Sequence, residues 1–150
     1  MDTHLTGPQE GSDSRFHLYY ANEAPNEDVF LDVDDVTSFG PETTTITTFY
    51  NGLYRYSVHN YDNQSISGGV EIFNSPTLVE VFDMNGLVQS FSPPPAKSTS
   101  GNTWRVFEMN VLGGNIDLTA LNNYEQVIDE DNGNNFRSSK NKTRFKEGNF

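Results

Sequence analysis

The 150-residue chain has no cysteine, which excludes a disulfide framework and any zinc site built on thiolates. It has no apolar run near the roughly 18–20 residues that a membrane-spanning helix needs, so membrane insertion is not expected. Basic residues are scarce: 9 Lys+Arg stand against 21 Asp+Glu, a net charge of −12. A nucleic-acid surface needs Lys and Arg to displace counterions, so this balance excludes nucleic acid as a partner. Hydrophobic residues are only 34% of the chain, yet 13% is aromatic, with 11 Phe and 7 Tyr. One domain of ordinary size can build its core from such large side chains.

The charge is unevenly spread. Residues 1–135 carry −16, with Arg15, Arg55, Lys97 and Arg105 as their only basic side chains. Residues 136–150 carry +4, from Arg137, Lys140, Lys142, Arg144 and Lys146 against Glu147. An acidic body followed by a basic tail can attract that tail or a neighbour's; equally, the tail can stand solvated.

Pro, Gly, Asn, Ser and Thr break the chain roughly every 8–12 residues, the rhythm of short strands joined by turns. No segment supports a long amphipathic helix. Strands are expected at 16–20, 29–33, 42–49, 53–61, 70–73, 78–83, 87–91, 103–109 and 116–118. The clearest is Leu53 to Tyr61, with Tyr54, Tyr56 and Val58 on one face and Arg55, Ser57 and His59 on the other. Asn51-Gly52 predicts a hairpin joining it to a strand that ends near Phe49, and Met84-Asn85-Gly86 predicts a second hairpin. The opening Asp2 to Leu5 is strand-like and is expected to turn at Gly7-Pro8. No basic n-region or apolar h-region precedes it, so the start reads as cut from inside a longer protein.

This pattern predicts an all-β fold: an antiparallel β-sandwich, immunoglobulin-like or jelly-roll-like, of about eight to nine strands with a polar C-terminal tail. The domain is expected over residues 1–121, and an Asn-rich, basic-ended tail over 122–150. Phe136, Phe145 and Phe150 are the candidate anchors of that tail.

Four pieces carry a family likeness: Asp2-Thr3-His4-Leu5-Thr6-Gly7-Pro8; Arg15-Phe16-His17-Leu18-Tyr19-Tyr20; Leu31-Asp32-Val33-Asp34-Asp35 with Gly40-Pro41-Glu42-Thr43; and Gly52-Leu53-Tyr54-Arg55-Tyr56-Ser57-Val58-His59-Asn60-Tyr61. Together they resemble the YfaP-like family of uncharacterised, mostly secreted bacterial domains. Trp104-Arg105-Val106-Phe107 fits the closing strand of the same pattern, and the likeness covers about residues 2–110. The family's opening Asp-Leu-Asp is reduced here to Asp2. The resemblance implies an immunoglobulin-like or carbohydrate-binding-module-like sandwich, usually one module of a larger exported protein. It implies no established activity.

Two clusters could carry chemistry. Asp32, Asp34 and Asp35, with Glu42 and Asp2, are a candidate calcium site, because Ca²⁺ takes six to eight oxygens from carboxylates and carbonyls. They read equally as turn formers and a solvent-facing strand residue. His4, His17 and His59 each sit on an expected strand; converging on one sheet face they could bind a ligand, zinc or copper. Alternatively they are strand residues whose ring nitrogens bond a carboxylate. Tyr19, Tyr20, Tyr54, Tyr56, Tyr61 and Trp104 could stack on sugars, although the alternation places Tyr54 and Tyr56 more simply in the core.

No Gly-x-Ser-x-Gly elbow and no phosphate loop before a helix are present, so catalysis is not expected. The expected function is a non-catalytic extracellular module for adhesion or assembly in a larger surface structure, self-associating through its tail. Its partners would be other protein modules or copies of itself. The alternative is a calcium-supported module binding carbohydrate or another ligand.

Overall fold

The computed structural model describes residues 1–33 and 41–136. Nine strands and one short helix order as β1 (Asp2–Gln9), β2 (Ser12–Leu18), β3 (Val29–Val33), β4 (Thr43–Ile46), β5 (Gly52–His59), α1 (Gly68–Asn74), β6 (Val79–Asp83), β7 (Gly86–Phe91), β8 (Thr103–Leu112) and β9 (Asn115–Glu125), counted among the described residues. A five-stranded sheet runs β2-β1-β5-β8-β9, and β3-β4 and β6-β7 form two ribbons. Every pairing is antiparallel. The all-β, sandwich-like class expected from the turn rhythm is what the chain adopts.

Alternation gives the large sheet two unlike faces. Leu5 lies opposite Leu18 and Tyr56, Val58 opposite Trp104, and Tyr54 opposite Met109. These residues form the apolar face. The ribbons and α1 cover it with Val29, Leu31, Ile72, Val79 and Phe91 in one continuous core. Phe91 of β7 stacks on Phe107 of β8 at 5.2 Å between ring centres. Trp104 and Tyr54 are fully buried there, so neither can present a ring to a sugar.

Glycine serves β1 in two ways, by close packing within the strand at Gly7 and by turning at its end at Gly11. The expected turn at Gly7-Pro8 is absent: β1 continues to Gln9, and the chain turns at Glu10-Gly11, with Gly11 at φ 63°. Pro8 is tolerated because β1 pairs with β5 only from Asp2 to Thr6, leaving β2 as the sole neighbour beyond. A Cβ on Gly7 would sit 2.5 Å from the rings of Phe16 and Tyr54. Gly7→Ala is therefore expected to cost about 1–3 kcal/mol through overpacking. An unchanged urea midpoint would contradict that account.

Three other expectations change. The strand ending near Phe49 does not pair with β5; β4 pairs with β3, while β1 and β8 occupy both edges of β5. The second hairpin, β6-β7, forms as expected. Residues 70–73, expected as a strand, lie in α1: Ile72 is buried while Glu71 and Phe73 are exposed. The Glu71 carboxylate accepts from Asn60 at 2.8 Å and Asn63 at 2.7 Å, which holds this turn against the loop after β5. The short strand expected at 116–118 extends to the eleven residues of β9. The boundary expected between 121 and 122 thus falls inside a strand.

Candidate functional site

The opposite face of the sheet is polar. Asp2, His4 and Thr6 of β1 lie in register with His59, Ser57 and Arg55 of β5, and Thr6 also faces His17 of β2. Ser57 and His59 face Arg105 and Thr103 of β8. Arg105 reaches this face through a bulge. Val106 has no partner in either ladder, since Tyr56 pairs with Phe107 and Ser57 with Arg105. Were Val106 paired as an ordinary strand residue, Arg105 and Phe107 would point the same way.

Despite their polarity these side chains are buried: His4, Thr6, Ser57, His59 and Thr103 are inaccessible and Arg105 is 1% exposed. Each imidazole is oriented by a neighbour. Nδ1 of His4 shares a 2.8 Å hydrogen bond with Nε2 of His17, and Nδ1 of His59 shares one of 2.8 Å with Thr103 Oγ1. Arg105 donates through Nε and Nη2 to one oxygen of Glu125, at 2.9 and 2.8 Å, and through Nη1 to Ser57 at 3.2 Å.

What buries them is the segment after β9. Asn102, just before β8, holds its start, accepting from the Val127 amide at 2.9 Å and donating to the Val127 carbonyl at 2.8 Å. The segment then closes with a 3-10 turn, Gly133–Phe136. Gly133 lies flat on His17: a Cβ there would be 2.9 Å from the histidine Cβ. Phe136 is fully buried, its ring stacked on His4 at 3.8 Å with a 4° tilt and edge-on to His59 at 6.1 Å. The Arg105 guanidinium sits 5.2 Å from the ring centre. Thr6 donates to the Phe136 carbonyl at 3.4 Å, and Arg105 donates to that of Asn135. His17 and Tyr19 stack beside this pair at 4.3 Å. The result is a socket for one planar ring, with an imidazole stacked on it, a cation over it and donors for the adjoining carbonyls.

Burial is the first cause that holds His4 well below the ordinary imidazole range, with the fields of His17, His59 and Arg105 adding to it. Burial also brings His59 down to about 4, helped by Arg105 and the N-terminal amine. Glu130 stands 3.4 Å from His59 Nε2, close enough for an ion pair, but the two atoms make no hydrogen bond. Burial outweighs that attraction, and the imidazole stays neutral. The Glu130 carboxyl itself is pushed up, by burial and then by Asp2, Asp131 and Asp129.

The structure therefore gathers His4, His17 and His59 at one place, as a hydrogen-bonded stack. Among the described residues, no group of three or more His, Asp or Glu is arranged to hold a metal ion. The candidate calcium residues are dispersed. Asp32 lies exposed on β3 and accepts from Thr45, Glu42 accepts from the Thr3 amide at 3.0 Å, and Asp2 shares the histidine face. Asp34 and Asp35 lie outside the described residues. A separate acidic recess of about 210 Å³ is lined by Glu10, Glu27, Asp28 and Tyr50; the tyrosine hydroxyl donates to Asp28 at 2.8 Å.

Sequence reasoning missed Arg105, Glu130 and the extent of β9. The available signal was Arg105 itself, one of only four cations in residues 1–135 and set in an apolar strand. Of the tail's candidate anchors, Phe136 is seated, while Phe145 and Phe150 lie outside the described residues. No family model, curated protein or solved structure matches this chain.

Proposed function

We propose that this chain is a non-catalytic β-sandwich module for assembly or adhesion within a larger exported structure, working by holding a chain segment across the polar face of its sheet. One observation carries the reading: a segment of its own sequence fills a socket of buried polar groups, with Phe136 fully enclosed. A face that seats a peptide through main-chain carbonyls and one aromatic anchor can seat the same peptide from a neighbour. The charge distribution favours that exchange, since the residues following Phe136 are basic and the body they leave is strongly acidic. The likeness to exported modules supports the same setting. No helix among the described residues is long and apolar enough to cross a membrane.

The test is truncation after Glu125, the last residue of β9. The full chain is expected to sediment faster as its concentration rises, and less so at about 500 mM salt, where screening weakens tail-to-body attraction. The truncated chain, its β-rich circular dichroism retained, is expected to remain a monomer throughout. Identical sedimentation of the two chains would refute the proposal.

A further inference from the structure

We infer that the socket is a proton-gated receptor for a single aromatic ring: it holds Phe136 while His4 and His59 are neutral and releases it when they are protonated. The inference rests on reading the segment as an exchangeable arm, since a ring released by one copy is the ring a neighbour can take up.

The gate follows from how the two imidazoles are enclosed. A neutral histidine has one N–H and one acceptor nitrogen, and its protonated form has two N–H groups to satisfy. In both His4 and His59, Nδ1 is engaged, by His17 and by Thr103 respectively. Nε2 of each is buried and makes no hydrogen bond. A second N–H on His4 would thus lie in the imidazole plane, parallel to the Phe136 ring stacked on it, at a buried nitrogen with no acceptor. The Arg105 guanidinium already places a permanent positive charge over that ring.

The surrounding charges do not offset two more. From β9, Glu125 is committed to Arg105 through two hydrogen bonds. From β1 come the Asp2 carboxylate and, against it, the N-terminal amine, which itself disfavours charge on His59. His17 of β2 opposes charge on His4. From the segment, Asp131 bonds the hydroxyl of Tyr19, and Asp129 and Asp131 act mainly on Glu130. Glu130 stands 3.4 Å from His59. Its carboxyl is held above the usual range, so on acidification it takes up its own proton early and stops acting as a counter-charge.

Lifting the segment admits water to both imidazoles and lets them titrate near 6.5. The closed socket therefore binds fewer protons than the open one. Closure is complete above that pH and weakens as pH falls, until the depressed value of the closed form is reached, about 4 for His59. Each titrating histidine changes the closure equilibrium about tenfold per pH unit in that window. Between about pH 6.5 and 4.5, His59 alone weakens it up to about 100-fold, and His4 acts in the same direction.

The experiment follows the imidazole C–H resonances of the full chain by NMR from about pH 8 to about pH 4.5, a range spanning the ordinary histidine pKa. A ring stacked on His4 displaces its Cε1–H signal by ring current. That displacement is expected to vanish on acidification with a midpoint below 6.5, together with amide protection over 133–136. Protection in β5 and β8 is expected to persist. His4→Gln and His59→Gln are each expected to make the loss less steep with pH. If the stacked signature survives to about pH 4.5 while both histidines titrate, or if β5 and β8 lose protection with it, the gate is overturned. Sedimentation separates the two proposals. Acid release in a chain that is monomeric at every concentration leaves the gate standing and removes the assembly reading. Arm-dependent association without acid release does the reverse.

Discussion

Phe136→Ala is expected to detach the segment from the sheet while leaving the sandwich folded. Truncating a fully buried phenylalanine costs about 3–5 kcal/mol in transfer and cavity terms. The other ties of residues 128–136 are weaker: Ile128 is 88% exposed, Gly133 rests on His17, and a few hydrogen bonds act at the segment's ends and between Asp131 and the Tyr19 hydroxyl. A loss of that size exceeds what such bonds contribute, about 1 kcal/mol each. Amide exchange over 133–136 should accelerate to near that of an open chain, and His4 and His59 should titrate close to the ordinary value, since burial is the first cause of both shifts. The urea midpoint should fall much less, because the apolar core lies on the other side of the sheet. Undiminished protection at 133–136 would show that the ring is not the anchor.

Trp104→Ala has the largest expected effect on global stability. The indole is fully buried near the start of β8 and belongs to the same core as Val58, Ile72 and Phe91. Its Nε1 also donates to Asn122 Oδ1 at 3.0 Å. Asn122 sits at φ 51°, on the β9 side of the register shift, where Leu121 and Asn122 loop past the ladder. Losing the indole removes about 3–5 kcal/mol of packing and also frees the residue that shapes β9. Against a total stability of about 5–15 kcal/mol for a domain, that is enough to leave much of the chain unfolded at 37 °C. Trp104→Phe should recover most of the packing and none of the Asn122 bond. Urea denaturation of the two variants separates these contributions, and equal losses would mean that the hydrogen bond, not the ring, dominates.

The strands that could be read from the sequence are those whose alternation is enforced from both sides. In β5 every second residue meets either the core or the polar face, and the Tyr54, Tyr56, Val58 stripe shows it directly. In β9 one face is nearly all solvent, so Asn, Asp and Thr conceal an eleven-residue strand. The partner of β4 was not legible, because Asn51-Gly52 makes a good turn whether or not the flanking strands pair. Each histidine could be placed on a strand, but their convergence depends on the order β2-β1-β5, a tertiary fact. Phe136 was visible only as an apolar residue in a polar tail. Nothing local says that a polar surface on the far side of the sheet would be enclosed by it.

Val106 acts on β8 as a change of parity. Before it, odd-numbered residues belong to the socket, as Thr103 and Arg105 do; after it, odd-numbered residues Phe107, Met109 and Val111 belong to the core. The two halves of one strand are therefore read in opposite phase, and the single skipped residue is the frame mark between them. Substitutions at Val106 and changes of length there are different kinds of event. A smaller side chain would leave a void. Deleting the residue would close the bulge and leave Arg105 and Phe107 as consecutive residues opposite Ser57 and Tyr56, each on its present face, whereas drawing Val106 into the ladder would slide one half of β8 by a step, aiming either Arg105 at the tryptophan layer or Phe107 at the histidines. Binding face and core keep to their own sides of the sheet because this one valine stands outside the ladder.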